Sequence, residues 1–372
     1  MSFDLCAVIR SEVREQVPYH TGPEPPAGPR VKLDANESPF ALGEALRGAL
    51  AAEFARALAD VELHRYPDPT ARELRGLLAG DLGVAAEQIL ISNGSDEAIQ
   101  MLQMAVAGPG TSVAIPVPTF AMYAIGARVM GIRVLEVPLG EAFALDACRF
   151  LETVRRERPR LVFLAWPNNP TGNLFDASAV EAVVRACRGE DCHALVVVDE
   201  AYVHYSGRSL LSRLGEFPNL VILRTLSKIG LAGIRLGLLI ANTDVVREVN
   251  KVRMPYNVNA LSQAAARVVL AHGDVVARHA AAIVAERERV SVALARIRAV
   301  TPFRSDANFI LFRTRGSGDA VAADLLARGI VVRNFSRAPH LADCLRVTIG
   351  TPEENSAFLD ALTAVVGAGR DT

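Results

Sequence analysis

The chain has 372 residues, ample for two domains with substantial cores, which excludes a single small module. Forty Lys plus Arg against 41 Asp plus Glu leave a net charge of −1, so no global field draws the chain to nucleic acid or to an anionic membrane. With 51 % hydrophobic and 22 % charged residues it has the composition of a globular protein, which excludes disordered and collagen-like classes.

Residues 1–45 read as an irregular arm, because Pro18, Pro23, Pro25, Pro26 and Pro29 with Gly22 and Gly28 bar regular helix. The first 15 residues interleave Asp4, Arg10, Glu12, Arg14 and Glu15 with apolar positions, so secretion is not expected and a cytoplasmic location is. Helical spacing follows over residues 43–59 and 70–82, on either side of the turn Arg65-Tyr66-Pro67-Asp68-Pro69. Apolar runs of strand length then alternate with helical segments at 88–92, 112–117, 133–137, 161–166, 195–198, 221–224 and 236–240. That rhythm predicts an α/β fold, and runs apolar at both alternate positions predict a mostly parallel sheet covered by helices on both faces. The last run follows its predecessor without a full crossover helix, which predicts one antiparallel strand.

A long helix is expected from near Asp244, broken at Pro255 and continuous from Leu261 through about Arg298. Strands at 308–312, 331–333 and 344–349 around helices at 318–327 and 352–366 then predict a smaller α+β domain. The expected division is an arm over 1–45 that serves the small domain and the active site, a large domain over 46–250, and a small domain with its linking helix over 251–372. The longest uncharged stretch, residues 98–127, is interrupted by Pro109, Gly110, Pro116 and Pro118, so no membrane span is expected.

Ligands in open α/β sheets bind beyond the carboxyl ends of the strands, and four such ends carry polar chemistry. Asn93-Gly94-Ser95-Asp96-Glu97 opens a helix whose amide N–H groups suit a phosphate, although a plain N-cap by Ser95 or Asp96 uses the same residues. Pro167-Asn168-Asn169-Pro170-Thr171-Gly172 is either a rigid loop presenting amide side chains or an Asx-stabilised turn. Asp199, heading Asp199-Glu200-Ala201-Tyr202, should have a cationic partner at the mouth of a buried strand, with an N-cap or structural ion pair as the other reading.

The fourth end is Thr225-Leu226-Ser227-Lys228-Ile229-Gly230. Three of the 40 basic residues are lysines, Lys32, Lys228 and Lys251, and the other 37 are arginines. A guanidinium stays protonated and cannot form an imine, so a lysine retained at a strand end suits imine formation with a carbonyl. Arg235 follows seven residues later. Together the four ends describe an aldehyde for Lys228, a cationic ring nitrogen for Asp199, a phenolate oxygen for Asn169 and Tyr202, and a phosphate for the helix start and Arg235. That combination is pyridoxal 5'-phosphate.

From Leu33-Asp34-Ala35-Asn36-Glu37-Ser38-Pro39 through Arg65-Tyr66-Pro67-Asp68 to Cys344-Leu345-Arg346-Val347-Thr348-Ile349-Gly350, the sequence resembles the fold-type I, class II pyridoxal-phosphate-dependent aminotransferases, and within them the histidinol-phosphate branch. The resemblance implies a homodimer with shared active sites. It makes Lys228 the Schiff-base lysine and general base, sets Asp199 on the pyridinium nitrogen and Tyr202 and Asn169 on the ring oxygen, and stacks Phe120 on the ring. The backbone amides of Ser95 and Asp96, with Thr225, Ser227 and Arg235, would hold the cofactor phosphate, and Tyr66 would reach it from the neighbouring subunit.

For substrates, the same resemblance makes Arg333 and Arg346 anion forks for a phosphorylated amino alcohol and for glutamate and 2-oxoglutarate, with Tyr19 and Asn36 assisting from the arm. Phe120 stands where relatives often carry Tyr or Trp, which leaves stacking intact, and Asp34 and Ser38 stand where many have Asn, which bears on substrate preference. An aromatic-amino-acid aminotransferase and a threonine-phosphate decarboxylase use the same machinery and stay open as alternatives. The seven histidines show no ligand spacing, so no metal site is expected. Five cysteines without CxxC spacing read as free thiols of a reducing compartment, with Cys187, Cys192 and His193 close only in sequence.

Overall fold

The structure is a computed structural model that describes residues 5, 8–17, 31–40 and 49–368. Its larger sheet has seven strands: β2 (Ile89–Ser92), β3 (Ser112–Val117), β4 (Arg133–Pro138), β5 (Leu161–Ala165), β6 (Leu195–Asp199), β7 (Leu220–Thr225) and β8 (Gly237–Ala241). Their spatial order is β2-β8-β7-β6-β5-β3-β4. Strands β3 to β7 run parallel, while β8 is antiparallel to both β2 and β7, the reversed strand that the missing crossover predicts.

The apolar runs work because the pleat sends alternate residues into two separate cores. Val162, Leu164, Val196, Val198 and Ile222 enter one, and Leu161, Phe163, Val197, Val221 and Leu223 enter the other. Each such side chain contributes about 1.5–3 kcal/mol of burial free energy, which makes a polar residue within these strands costly. Polar chemistry is thereby pushed to the ends. The pairings Ser92 with Gly237, Gly237 with Thr225, and Ala165 with Asp199 bring those ends to one edge.

The smaller sheet has the order β1-β11-β12-β10-β9, built from β1 (Val31–Leu33), β9 (Val300–Pro302), β10 (Phe309–Thr314), β11 (Ile330–Asn334) and β12 (Cys344–Thr348). Here β1 runs parallel to β11 and brings part of the predicted arm into the sheet, and the remaining pairs are antiparallel. Leu33, Phe309, Phe312, Leu345 and Phe358 form its core with helices Gly273–Arg296 and Pro352–Ala368. The proline-rich residues 18–30 lie outside the described residues.

The helix expected to run unbroken from Leu261 to Arg298 is in fact two, Ala260–Leu270 and Gly273–Arg296, bent by 79°. Apolar spacing continues on both sides of the bend. The overlooked signals were Gly273, the poorest helix former short of proline, and Asp274, an acidic residue suited to a new first turn. Among the described residues no single helix is long and apolar enough to cross a membrane.

Candidate active site

The strand ends open onto a cavity of about 210 Å³ between the two sheets. Its walls carry Ser95, Asp96, Phe120, Asn169, Asp199, Tyr202, Thr225, Ser227, Lys228 and Arg235 from the large-sheet side, and Asn36, Arg333 and Arg346 from the small-sheet side. Of the other sequence candidates, Tyr66 is 80 % exposed outside this cavity and stacks on Tyr256, while Tyr19 lies outside the described residues.

Lys228 leaves β7 three residues beyond Thr225 and turns its Nζ into the cavity, where it donates to the Ala35 carbonyl at 3.3 Å and lies 5.9 Å from the Tyr202 ring centre. Burial, with Arg346 adding its positive charge, lowers its pKa to about 8, so a substantial fraction of the amine is neutral near physiological pH. The Tyr205 hydroxyl donates to the Lys228 carbonyl and fixes the backbone that carries this side chain.

Asp199 is 5 % exposed at the end of β6. Its Oδ2 accepts from the Tyr123 hydroxyl at 2.7 Å and its Oδ1 from the Ala201 N–H at 3.1 Å. The cationic partner expected for it is absent among the described residues; Arg224 of the neighbouring strand pairs with buried Glu200 at 2.9 Å. Burial without a counter-charge raises Asp199 to about 6. A cavity-facing carboxylate of this kind suits a ligand that supplies the positive charge.

An anion cradle lies at the other end. The helix Ser95–Val106 points its free N–H groups toward the cavity, and the hydroxyls of Thr225 and Ser227 bond each other at 3.0 Å. Arg235 reaches the same place, donating to Ser227 Oγ at 3.3 Å and to Asp96 at 3.4 Å. Gly237 makes the close approach possible: a Cβ there would lie 2.4 Å from both Gly94 C and Ser95 N. Gly237→Ala is therefore expected to push the 94–95 turn away from β8 and to cost about 1–3 kcal/mol, measurable by chemical denaturation of the cofactor-free protein.

On the opposite wall, Arg333 and Arg346 are direct partners across β11 and β12. Arg346 is 6 % exposed, donating to Asn169 Oδ1 at 2.5 Å and to the Asp34 carbonyl at 2.8 Å. Phe309 and Phe335 flank its guanidinium at 5.1 and 5.4 Å. Asn36, held in the left-handed region at φ 56°, donates from Nδ2 to the Tyr202 hydroxyl at 2.9 Å and accepts from Thr348 at 3.3 Å. Its amide is thus already engaged in orienting Tyr202.

One residue of the site, Tyr123, went unread in the sequence, and another, Asn168, was read only as part of its loop. Tyr123 is one helical turn beyond Phe120, and that spacing was its only signal. Asn168 is fully buried and ties two loops together, accepting from Thr119 at 2.8 Å while donating to the Pro118 carbonyl at 3.0 Å. It thereby sets Phe120 relative to Asn169. Cys187 and Cys192, expected to be close only in sequence, are free thiols buried in the same core, where the loop after helix Ala177–Ala186 folds back with Ala194 N–H donating to the Cys187 carbonyl at 3.1 Å.

Residues 29–362 match the family model described as aminotransferase class I and II. The chain belongs to this aminotransferase family. Among curated aminotransferases it is 46 % identical to histidinol-phosphate aminotransferase 2 of Cupriavidus pinatubonensis, over 96 % of each chain. It is likewise 46 % identical to histidinol-phosphate aminotransferase 1 of Ralstonia nicotianae, over 97 % of this chain and 95 % of that one. Among solved aminotransferases, the histidinol-phosphate aminotransferase of Sinorhizobium meliloti in complex with pyridoxal-5'-phosphate superposes with a TM-score of 0.80 at 27 % identity, covering 91 % of each chain. The predicted fold-type I transferase architecture, a mostly parallel sheet beside a smaller α+β layer, is the fold of this family.

Proposed function

We propose that this aminotransferase moves an amino group between L-histidinol phosphate and 2-oxoglutarate, yielding imidazole-acetol phosphate and L-glutamate, with pyridoxal 5'-phosphate as cofactor. The observation that carries the reading is one cavity in which a partly neutral lysine and a buried carboxylate, without a cationic partner among the described residues, face a pair of arginines. The near full-length similarity to histidinol-phosphate aminotransferases supports the choice of substrate.

The residues fit the cofactor. Ser95, Asp96, Thr225, Ser227 and Arg235 hold its phosphate, Asp199 its ring nitrogen, Tyr202 and Asn169 its ring oxygen, and Phe120 its ring face. When bound, the cofactor supplies an aldehyde for the exchange of amines and an electron-poor ring that stabilises negative charge at the substrate carbon. Lys228 first attaches the cofactor, then, as a free amine, takes the proton from the substrate carbon and returns it on the other side of the exchange. Asp199 keeps the ring nitrogen protonated through its negative charge. Asn36 and Tyr202 fix the position of the ring oxygen. Arg333 and Arg346 bind the phosphate of one substrate and the carboxylates of the other, so both halves of the reaction use one anion site.

Tyr66 completes this reading from a second copy of the chain. It is exposed on its own subunit beside Leu63, Met254 and Tyr256, an apolar surface suited to a homodimer in which each Tyr66 reaches the other site. Tyr66→Ala is expected to loosen cofactor retention about tenfold, read by ultrafiltration, without changing the pH response of Lys228. The small-molecule partners and a cytoplasmic setting follow from the same reading.

Mixing the loaded protein in parallel with histidinol phosphate and with phenylalanine, and following the visible absorbance of the bound cofactor through one turnover, tests the assignment. Fast and complete change with histidinol phosphate alone is expected. Preference for phenylalanine would move the assignment to an aromatic-amino-acid aminotransferase, and release of carbon dioxide in a third parallel mixture with threonine phosphate would move it to a decarboxylase.

The pH response follows from the site. Lys228 becomes neutral above about 8 and Asp199 ionises above about 6, so both requirements for cofactor capture improve as pH rises. The capture rate of the cofactor-free protein is expected to climb roughly tenfold per unit between pH 6 and 7.5 and to level off near pH 9, as stopped-flow absorbance would record.

A further inference from the structure

The carboxylate at the centre of the site is met by a tyrosine that no motif pointed to. Tyr123 lies on helix Met122–Val129 at 0 % exposure, its ring stacked on Phe163 of β5 at 4.6 Å and met edge-on by Phe120 at 5.5 Å. Resting on the reading of the cavity given above, we infer that Tyr123 is a positioning residue: its hydroxyl, 2.7 Å from Asp199 Oδ2, holds that carboxylate ionised and oriented for a cationic ring nitrogen.

The surroundings favour this role over simple filling of the core. Phenylalanine would fill the same slab between Phe163 and Phe120, whereas a phenol buried this deeply is costly unless its hydroxyl is bonded. The partner it has is the site's own carboxylate. A bond from a neutral hydroxyl to an ionised oxygen is among the stronger hydrogen bonds, and it favours the ionised form. Burial and the adjacent carboxylate push the Tyr123 phenol well above its ordinary range, so the hydroxyl keeps its proton and acts as a donor throughout the working pH range.

That donor has work to do. Burial raises the Asp199 carboxyl, and the negative charges of Asp96 and Glu200 push in the same direction, while Tyr123 and the Ala201 N–H oppose them. Tyr202, Lys228, Asp34, Arg235, Arg333 and Arg346 are further titratable or charged groups that line the same cavity. Ala201 secures Oδ1 from the strand's own continuation, so Tyr123 is the contact that ties Asp199 to a neighbouring element. With both oxygens restrained, the carboxylate cannot rotate away from the cavity.

Tyr123→Phe keeps the ring and removes the bond. The variant is expected to fold with a thermal midpoint close to the parent's, yet to bind pyridoxal 5'-phosphate about tenfold more weakly at pH 7.5. The deficit should widen toward pH 6 and shrink toward pH 9, because the state that fails is the protonated carboxyl. In an Asp199→Asn background, where there is no charge to hold, the same substitution should change the dissociation constant less than twofold. Incorporating 3-fluorotyrosine at position 123, a stronger donor of nearly the same shape, should move the midpoint of the pH profile downward. An equal loss in both backgrounds, a loss independent of pH, or parent-like binding by Tyr123→Phe each overturns the inference while leaving the cofactor reading intact. Failure of the parent protein to bind the cofactor overturns both.

Discussion

Replacing Lys228 by arginine is expected to lower turnover by at least about 10³-fold, the effect of losing a positioned general base. The substitution retains the positive charge and most of the length, so the contacts with the Ala35 carbonyl and the Tyr202 ring have substitutes. What it removes is the ability to be neutral. The surroundings bring Lys228 to about 8, whereas a guanidinium stays charged at any working pH. Borohydride treatment followed by peptide mass spectrometry gives an independent readout: the cofactor should become fixed to the Lys228 peptide of the parent protein and to no peptide of the variant. Appreciable steady-state activity in Lys228→Arg would remove Lys228 from the centre of the mechanism.

The second large effect is expected at Arg346. Its guanidinium is buried between Phe309 and Phe335 and held by Asn169 and the Asp34 carbonyl, so its orientation is set before substrate arrives. Arg346→Gln removes the charge and the fork, which at a buried ionic contact costs about 2–5 kcal/mol, or roughly 30- to 5000-fold in kcat/KM for both substrates. Cofactor affinity should change much less, because the phosphate cradle lies with Ser95 and Arg235 on the other wall. Equal loss of cofactor and substrate binding would mean that Arg346 supports the fold of the site more than it recognises anions.

The large sheet was legible because two cores demand apolar residues at both alternate positions, leaving runs such as Leu161–Ala165 with no other plausible conformation. Strand β1 was not legible. Its three residues, with charged Lys32 in the middle, become a strand through pairing with β11 some 300 residues away, and no local pattern announces such a partner. Within the site, Lys228 stood out through the scarcity of lysine, and Asp199 through its place at a strand end. Tyr123 was hidden because an aromatic residue at helical spacing reads as core, which in part it is: its ring packs and its hydroxyl serves the site. The bend at residues 271–272 was lost for a related reason, since apolar periodicity reports which face is buried and is blind to a change of helix direction.

The pairing of Asn36 with Thr348 has a consequence for how the protein is made. The two residues are separated by 312 positions, and Asn36 also receives a bond from Asn308. At about 5–20 residues per second, the ribosome needs roughly 15–60 s after making Asn36 to produce its partner. Once β8 has been made, about 100 residues before Thr348, the sheet carrying Asp199 and Lys228 can form while the segment that closes over them waits without its strand. The nascent chain therefore passes through a stage in which the phosphate cradle exists and the wall bearing Arg333 and Arg346 does not, leaving the pocket open to cofactor from one whole side before the last strand seals it.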